Sequence, residues 1–233
     1  MEIKGVFPLK RQLLQSSWLM LALAEKYDVK IPLDYKPEID YLKQFFDINF
    51  EYAQKGDKKI EGIEINHPQP YVKFGDQKRI LLFPEFLVNY CQEQTMKKFF
   101  VSFRGFKADF RVKFLTEWAK KIMGCDLDSE LLNINFTNAG RVSIGRVFDK
   151  KYYEEIKQSS FTICPNGGYV YTYRFFEACF CRSIPIIQDF CKSYEGYKFY
   201  DQTTKKDDLI YRSDWAEHNL NKAIKDLTLI ENE

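Results

Sequence analysis

Short apolar runs rich in β-branched and aromatic residues alternate along this chain with longer stretches in which apolar residues recur every three or four positions. The short runs are typical of strands, and the longer stretches are typical of amphipathic helices. In the first part of the chain the pattern predicts strands at residues 3–7, 29–33, 60–66 and 79–83, and helices at 13–26 and 38–53.

The same alternation continues more regularly in the second part. The predicted elements are strands at 98–103, 131–136, 161–164 and 184–187, a loop at 104–108, and helices at 109–123, 150–158, 171–181 and 214–227. Strands that alternate with helices are typical of βα units on a parallel sheet. We therefore predict an α/β fold with two lobes, at residues 1–95 and 96–212, followed by a C-terminal helix at 213–233.

Composition narrows the class of protein. Of the 233 residues, 45% are hydrophobic, which excludes a disordered or collagen-like chain. The 35 Lys and Arg residues nearly balance the 33 Asp and Glu residues, so the net charge of +2 does not indicate nucleic acid as a partner. Any anion-binding site must therefore be local.

Neither a membrane anchor nor a metal site is expected from the sequence. The apolar stretch at residues 18–24 is well short of the roughly 20 residues that span a bilayer, and no small-residue cleavage site follows it. The six cysteines form no C-x-x-C pair and the chain has two histidines, so no zinc-ligand spacing is recognisable. Free buried thiols suit a reducing cytoplasm, which is the predicted location.

A glycine-containing loop carries the most chemical information. Pro165, Asn166, Gly167 and Gly168 stand between a predicted strand and a predicted helix. Glycines allow the backbone to approach a ligand, and the start of a helix offers N–H groups and a positive dipole end to a phosphate. The sequence therefore predicts an anion-binding loop here.

Two charged residues of the following helix fit the same ligand. Arg174 and Glu177 are three positions apart and are expected to face outward together. The buried face is predicted to carry Phe175, Phe176, Cys179 and Phe180. The guanidinium suits a diphosphate, and the carboxylate suits ribose hydroxyls. The same spacing is also typical of a surface ion pair that binds no ligand.

The order of residues between about 98 and 190 resembles the nucleotide-sugar-binding half of exostosin-like glycosyltransferases of the GT-B class. The positions that carry the resemblance are Ser159 or Ser160, Phe161, Pro165, Gly167 or Gly168, Thr172, Arg174, Glu177, Ala178, Ile184 and Pro185, preceded by Phe103, Arg104, Gly105 and Arg111. Arg182 departs from the pattern, because the family usually has a glycine there. The first lobe is also short for this class.

The resemblance implies a GT-B-like fold, in which two Rossmann-like lobes face each other across a cleft and the first lobe is abbreviated. It implies transfer of a sugar from a nucleotide-diphosphate sugar, held by the second lobe, to a hydroxyl of a glycan acceptor held by the first. The expected chemistry is an inverting displacement without a metal or another cofactor. The residues assigned to donor binding are Arg104, Gly105, Arg111, Asn166, Gly167, Gly168, Tyr169, Thr172, Tyr173, Arg174 and Glu177.

The first lobe is expected to supply the catalytic base. In open α/β sheets, ligands bind beyond the carboxyl ends of the strands. Asp34 and His67 follow the strands predicted at 29–33 and 60–66, so we assign the base to one of these two residues. Glu85, which follows the strand predicted at 79–83, is the next candidate.

Two other interpretations stay open: a fucosyltransferase-like GT-B enzyme, and a non-catalytic module that binds a nucleotide or a glycan. The motif Asp126-Leu127-Asp128 has the D-x-D form by which GT-A transferases hold a metal. It follows a predicted helix end rather than a strand, and we expect a loop there. Other cations near the predicted strand ends are Lys107, Arg141, Arg146 and Arg182.

Overall fold

The computed structural model describes residues 3–8, 14–141 and 147–230. These residues divide into two compact units. The first is drawn from Met1–Tyr90, Ser143–Phe148 and Ile224–Glu233, and the second from Cys91–Val142 and Asp149–Ala223.

The first unit combines a parallel pair of strands with an antiparallel sheet. Strand β1 (Lys4–Val6) is followed by helix α1 (Leu14–Lys26) and by strand β2 (Asp28–Lys30), which pairs in parallel with β1. After helix α2 (Lys36–Leu42), the antiparallel sheet contains β3 (Glu64–Asn66), β4 (Tyr71–Phe74) and β5 (Gln77–Arg79). Helix α3 (Glu85–Gln92) begins shortly after this sheet.

Helix α1 is the central core element of the first unit. Its residues from Gln15 to Leu23 are all buried, and the ring of Trp18 packs against Phe83 with 4.3 Å between the centroids. A helix that is apolar on all sides is expected inside a protein core. The apolar run at residues 18–24 is therefore a buried helix, as its length predicts.

The first unit differs from the predicted series of parallel βα units. Among its described residues, parallel sheet pairing between strands is limited to β1 and β2. The strand predicted at 60–66 is reduced to β3, and of the strand predicted at 79–83 only Arg79 lies in a strand, at the end of β5. Both β3 and β5 pair with β4 in an antiparallel sheet. The hairpin between β4 and β5 turns at Gly75, which has a φ of 54°, a conformation that two-residue hairpin turns require and glycine adopts readily.

The helix predicted at 38–53 ends early. After Leu42 the backbone tightens into turns, for example where the Phe45 N–H donates to the Leu42 carbonyl at 2.9 Å. Asp47 and Asn49 follow, and their short polar side chains compete with the helix for backbone hydrogen bonds. Apolar spacing alone therefore extends this helix too far.

The second unit is built on a parallel sheet. The strands formed by its described residues are β6 (Phe99–Phe106), β7 (Leu132–Thr137), β8 (Ser159–Cys164), β9 (Ile184–Ile187) and β10 (Tyr200–Asp201), in the order β10-β9-β8-β6-β7. The helices are α4 (Asp109–Trp118), α5 (Lys150–Lys157), α6 (Tyr173–Phe180) and α7 (Ser213–Leu227), of which α7 ends in the first unit. This sheet confirms the α/β class and is consistent with a Rossmann-like arrangement.

The inner strands explain why this unit is easier to predict. Residues 161–164 of β8 and all of β9 are buried, so both faces of these strands are covered. Strands covered on both faces form nearly continuous apolar runs, which the sequence displays directly. Strand β9 has the predicted boundaries, whereas β6 continues to Phe106 through positions predicted as a loop.

Helix α6 ends in a Schellman motif. The Ser183 N–H donates to the Ala178 carbonyl at 2.9 Å, and the Arg182 N–H donates to the Cys179 carbonyl at 3.2 Å. Arg182 has a φ of 51° and is the one non-glycine residue with a positive φ in the described ranges. The position at which the resembled pattern has glycine therefore has the backbone conformation that glycine favours.

Candidate functional site

The candidate site lies at the carboxyl edge of the parallel sheet in the second unit. Strands β6 and β8 are neighbours, so their carboxyl ends lie side by side. Strand β6 ends with Arg104, Gly105 and Phe106, and β8 leads into the glycine loop and helix α6. This edge is where open parallel sheets bind ligands.

Arg174 crosses the end of β6. Its Nη2 donates to the Arg104 carbonyl at 2.7 Å, and its guanidinium carbon lies 4.4 Å from the centroid of the Phe103 ring. Gly105 makes this path possible, because a Cβ at that position would stand 2.7 Å from the same Nη2. The Nε of Arg174 is buried and has no hydrogen-bond partner among the described residues.

Arg111, from the first turn of α4, reaches the glycine loop. Its Nε donates to the Asn166 carbonyl at 3.4 Å, and its Nη2 would lie 3.3 Å from a Cβ added to Gly167. Burial, and then the nearby charge of Arg174, lower the pKa of Arg111. In the part of the chain that the structure describes, neither arginine forms an ion pair with a carboxylate. Within the described residues, the two guanidinium groups therefore form a positively charged site whose charge no ion-paired carboxylate offsets.

Arg104 is placed differently from the other two arginines. Its guanidinium lies 3.8 Å from an Asp149 carboxylate oxygen and 3.4 Å from a Glu155 carboxylate oxygen. The Asp149 side chain also caps α5 by accepting from the Tyr152 N–H at 3.2 Å. The side chain of Arg104 is thus neutralised within the protein, and its carbonyl anchors Arg174.

Glu177 does not face outward beside Arg174, so this expectation is wrong. Its side chain is 1% exposed and its carboxylate forms an ion pair with Arg141. The hydroxyls of Tyr152 and Tyr153 each donate to it at 2.6 Å. These donors belong to α5 and to the segment after β7. The spacing of residues within α6 therefore could not predict that Glu177 faces inward. The predicted buried aromatic stripe of α6 is confirmed.

The glycine loop is held by side chains that follow β9. The Asn166 N–H donates to Gln188 at 3.1 Å, and the Asn166 side-chain amide donates to Asp189 at 2.6 Å. A Cβ on Gly168 would meet no atom within 4 Å, so the space above this glycine is open. Gln188 and Asp189 were not predicted as site residues. Their position directly after a parallel strand was the available signal.

The start of α6 is fixed by Thr172 and bordered by tyrosines. Thr172 caps the helix by accepting from the Arg174 N–H at 3.3 Å, and its own N–H donates to the Tyr194 hydroxyl at 2.8 Å. Tyr169 is partly exposed and its ring is nearly parallel to that of Tyr171. Burial raises the pKa of Tyr173 far above its usual value, so this hydroxyl stays protonated at neutral pH.

The two predicted base candidates lie in different settings. Asp34 is exposed in a single 3₁₀ turn, Leu33–Tyr35. His67 has its Nδ1 3.4 Å from the Gln15 side-chain oxygen, and burial lowers its pKa. Because β3 belongs to an antiparallel sheet, the rule about carboxyl ends of parallel strands does not apply to His67.

A cleft of about 380 Å³ in the first unit presents further carboxylates. Glu25 and Glu85 line it together with Asp47, Asn49, Phe50 and Phe86. The Glu25 carboxylate accepts from the backbone N–H groups of Glu85 and Phe86 at 2.5 and 3.1 Å, and burial raises its pKa to about 7. Sequence reasoning named Glu85 as a reserve base but missed Glu25, which lies inside the apolar helix α1.

Arg182 and the acids of the D-x-D motif lie apart from this site. Arg182 pairs with Glu217 and donates to the Gln92 carbonyl at 2.7 Å, whereas Arg146 lies outside the described residues. Asp126 and Asp128 occupy a turn that precedes β7, at the amino edge of the sheet, as the loop prediction requires. In residues 3–8, 14–141 and 147–230, no three His, Cys, Asp or Glu side chains are grouped as metal ligands.

No helix in the described ranges is long and apolar enough to cross a membrane. Arginines and a glycine loop lie together at the carboxyl edge of this parallel α/β sheet, the edge at which open α/β sheets bind ligands. The family described as the RXYLT1 C-terminal domain, a glycosyltransferase family, matches residues 145–231, less than half of the chain. The match supports a glycosyltransferase. No curated protein sequence matches the chain.

The matched segment contains the glycine loop, α6 and Glu177. Arg104, Gly105 and Arg111 precede it, although the structure brings them to the same edge of the sheet. The site therefore joins residues inside and outside the matched family domain.

Proposed function

We propose that the protein is a GT-B glycosyltransferase of the exostosin-like kind. It would transfer a sugar from a nucleotide-diphosphate sugar to a hydroxyl of a glycan acceptor. The family match supports sugar transfer. The observation that carries the donor class is the pair Arg111 and Arg174, two partly desolvated guanidinium groups that lack an ion-pair partner in the described residues.

A diphosphate suits this pair of arginines. Guanidinium groups bind phosphate oxygens in a planar, bidentate geometry, and the start of α6 adds the positive end of its dipole. The carbonyls of Arg104 and Asn166 fix the two side chains before a ligand arrives, so little side-chain freedom is lost on binding. Gly105 and Gly167 leave room for these positions.

The same groups would act on the leaving nucleotide. When the acceptor oxygen forms a bond to the anomeric carbon, the bond from that carbon to the diphosphate oxygen breaks and negative charge collects on the diphosphate. Fixed cations stabilise this developing charge, which supports a transfer that needs no metal. We further propose that displacement by a single attack inverts the anomeric centre.

The first unit would bind the acceptor and supply the base. Asp34 and His67 stay our proposed bases, and the carboxylates of the cleft add Glu25 and Glu85. A carboxylate whose pKa is about 7 can hold or release a proton near neutral pH, which suits Glu25 to general base chemistry. We also keep the cytoplasmic location as a proposal, since all six cysteines are free thiols.

Calorimetry with uridine and guanosine diphosphates in EDTA tests the donor site. We expect Arg174→Ala to weaken binding by roughly 2 to 3 kcal/mol, because the guanidinium is proposed to contact the diphosphate. The melting temperature should fall only modestly, because within the protein the side chain loses a hydrogen bond to the Arg104 carbonyl and its packing on Phe103 but no ion pair with a described residue. Arg212→Ala is the matched control, since Arg212 pairs with Asp214 in the same unit. Equal affinity of the Arg174 variant and the wild type would contradict the proposed site.

Product analysis separates an enzyme from a binding module. The wild-type protein is incubated with nucleotide sugars and an oligosaccharide mixture, and release of nucleoside diphosphate is followed. Transfer or donor hydrolysis supports the enzyme. Tight binding without any release would favour the non-catalytic module.

A further inference from the structure

We infer that Glu177 is a positioning residue, which acts on the donor through Arg141 and the two tyrosines of α5 and does not contact the ribose. The inference rests on the proposed function, because it concerns how the same donor site is organised. It replaces the ribose contact that the family resemblance implies for this carboxylate.

The acceptor capacity of Glu177 is nearly used within the protein. A carboxylate offers about four lone-pair positions. Tyr152 donates to one oxygen, while Tyr153 and Arg141 donate to the other. With 1% of the side chain exposed, a ribose hydroxyl would have to displace one of these donors. Displacement would leave a buried polar group unsatisfied, which costs more than one new hydrogen bond contributes.

The charges of this cluster already balance. Burial opposes the charge of Arg141, but the neighbouring Glu177 and tyrosines outweigh it and raise the pKa of the guanidinium. Burial raises the pKa of Tyr152 and Tyr153 as well, so both remain neutral donors. Glu177 and Arg141 therefore form a buried ion pair, and removing the carboxylate takes this ion pair away from a buried cation.

The ring of Tyr152 connects this cluster to the donor site. Its centroid lies 4.8 Å from the guanidinium carbon of Arg141 and 5.8 Å from that of Arg174, within cation–π range of both. The hydroxyl of the same ring is fixed by Glu177. A change at Glu177 can thus move Arg174 by way of Tyr152, without any contact between Glu177 and the ligand.

Ligands that lack the ribose hydroxyls separate the two roles. Affinities of wild type and Glu177→Gln are measured for uridine and guanosine diphosphates, for their 2′,3′-dideoxy analogues, and for inorganic pyrophosphate. We expect Glu177→Gln to weaken all of them by a similar factor, on the order of tenfold, because the displaced group is Arg174. If the loss is confined to ligands with ribose hydroxyls, Glu177 contacts the ribose and the inference is wrong.

Conservative variants keep the inference testable if Glu177→Gln does not fold. Tyr152→Phe removes one donor to Glu177 and should weaken pyrophosphate binding, whereas Tyr200→Phe, which removes a hydroxyl bound to the Ile210 carbonyl, should not. A lower melting temperature with unchanged affinities would show a purely structural role and overturn the inference. Failure of the wild type to bind any of these ligands would instead contradict the proposed function itself, and the inference with it.

Discussion

The N-termini of helices α3 and α6 differ in the charge of the side chains around them. In the first unit, the carboxylate of Glu25 accepts from the first N–H groups of α3. In the second unit, the neutral hydroxyl of Thr172 caps α6, and Arg174 and Arg111 stand near this start without a carboxylate partner in the described residues. The start of a helix favours negative charge. The start of α3 is therefore occupied by a carboxyl group of the protein itself, whereas the start of α6 is proposed to receive an external anion.

The largest predicted effect is on the rate of sugar transfer, which substitutions in the first unit should lower without changing donor binding in the second. If the first unit acts on the acceptor, Asp34→Ala or His67→Ala should abolish sugar transfer while the affinity for nucleoside diphosphate stays within about twofold, because a base touches the acceptor only. Initial rates with a donor and an oligosaccharide acceptor measure the first quantity, and calorimetry measures the second. If both variants transfer at near-normal rates, the base lies elsewhere, and Glu85 and Glu25 are the next residues to replace.

Two glycines of the second unit give a matched pair for the donor site. Gly105→Ala should weaken nucleoside diphosphate binding by about tenfold or more, because its Cβ would stand 2.7 Å from Nη2 of Arg174 and force that side chain away. Gly168→Ala should weaken nucleoside diphosphate binding less than Gly105→Ala does, because its Cβ would meet no protein atom within 4 Å and would leave Arg174 in place. Calorimetry on both variants checks the pair. Equal effects of the two substitutions would show that Arg174 does not set the affinity.

The buried carboxyl group of Glu25 in the first unit should make the stability of the protein depend on pH. Burial raises the pKa of Glu25 from 4.5 to about 7, so the folded state binds more protons than the unfolded state between these values. The free energy of unfolding should therefore fall as the pH rises from 5 to 8, by on the order of 2 kcal/mol from this group. Glu25→Gln should lose that contribution in urea titrations, and Glu64→Gln, at an exposed glutamate, should keep it. A Glu25→Gln variant with the wild-type slope would contradict the assignment.

The smallest expected effect concerns metal. Because arginines are proposed to balance the diphosphate, EDTA should change donor affinity by less than about twofold. Asp126→Asn should be equally silent, since Asp126 lies at the opposite edge of the sheet and pairs with Lys120. Binding that disappears in EDTA and returns with Mn²⁺ would instead favour the D-x-D motif as a ligand site.

The sequence predicts elements whose causes are local. Strand β9 is recognised because its covered faces make a continuous apolar run. The π-helical turn Ala119–Met123 follows α4, and Gly124 ends it in the left-handed conformation expected of a glycine cap. In the first unit, β1 and β2 pair in parallel as predicted, whereas a glycine turn places β4 and β5 in an antiparallel hairpin that apolar spacing does not reveal. Periodicity describes which positions are apolar, but it does not fix how strands pair.

The composition of the candidate site is partly predictable, and its internal contacts are not. The glycine loop and Arg174 are visible as a strand–loop–helix sequence. The inward turn of Glu177 depends on Tyr152, Tyr153 and Arg141, which are 24 to 36 residues away in the chain. The contact of Arg174 with the Arg104 carbonyl spans 70 residues. Such contacts follow from packing of the sheet and helices, which a single sequence does not display.

The backbone conformation of Arg182 affects how well a sequence pattern can identify proteins related to this one. A family pattern with glycine after this helix records a requirement for a left-handed backbone, and here an arginine meets that requirement with a φ of 51°. Its side chain has two partners, Glu217 and the Gln92 carbonyl, which offset a conformational cost of about 1 kcal/mol. Relatives that have diverged at this position will score poorly against a glycine-based pattern while keeping the same helix end. A search that requires a left-handed backbone conformation at this position, rather than a glycine, would identify such relatives better.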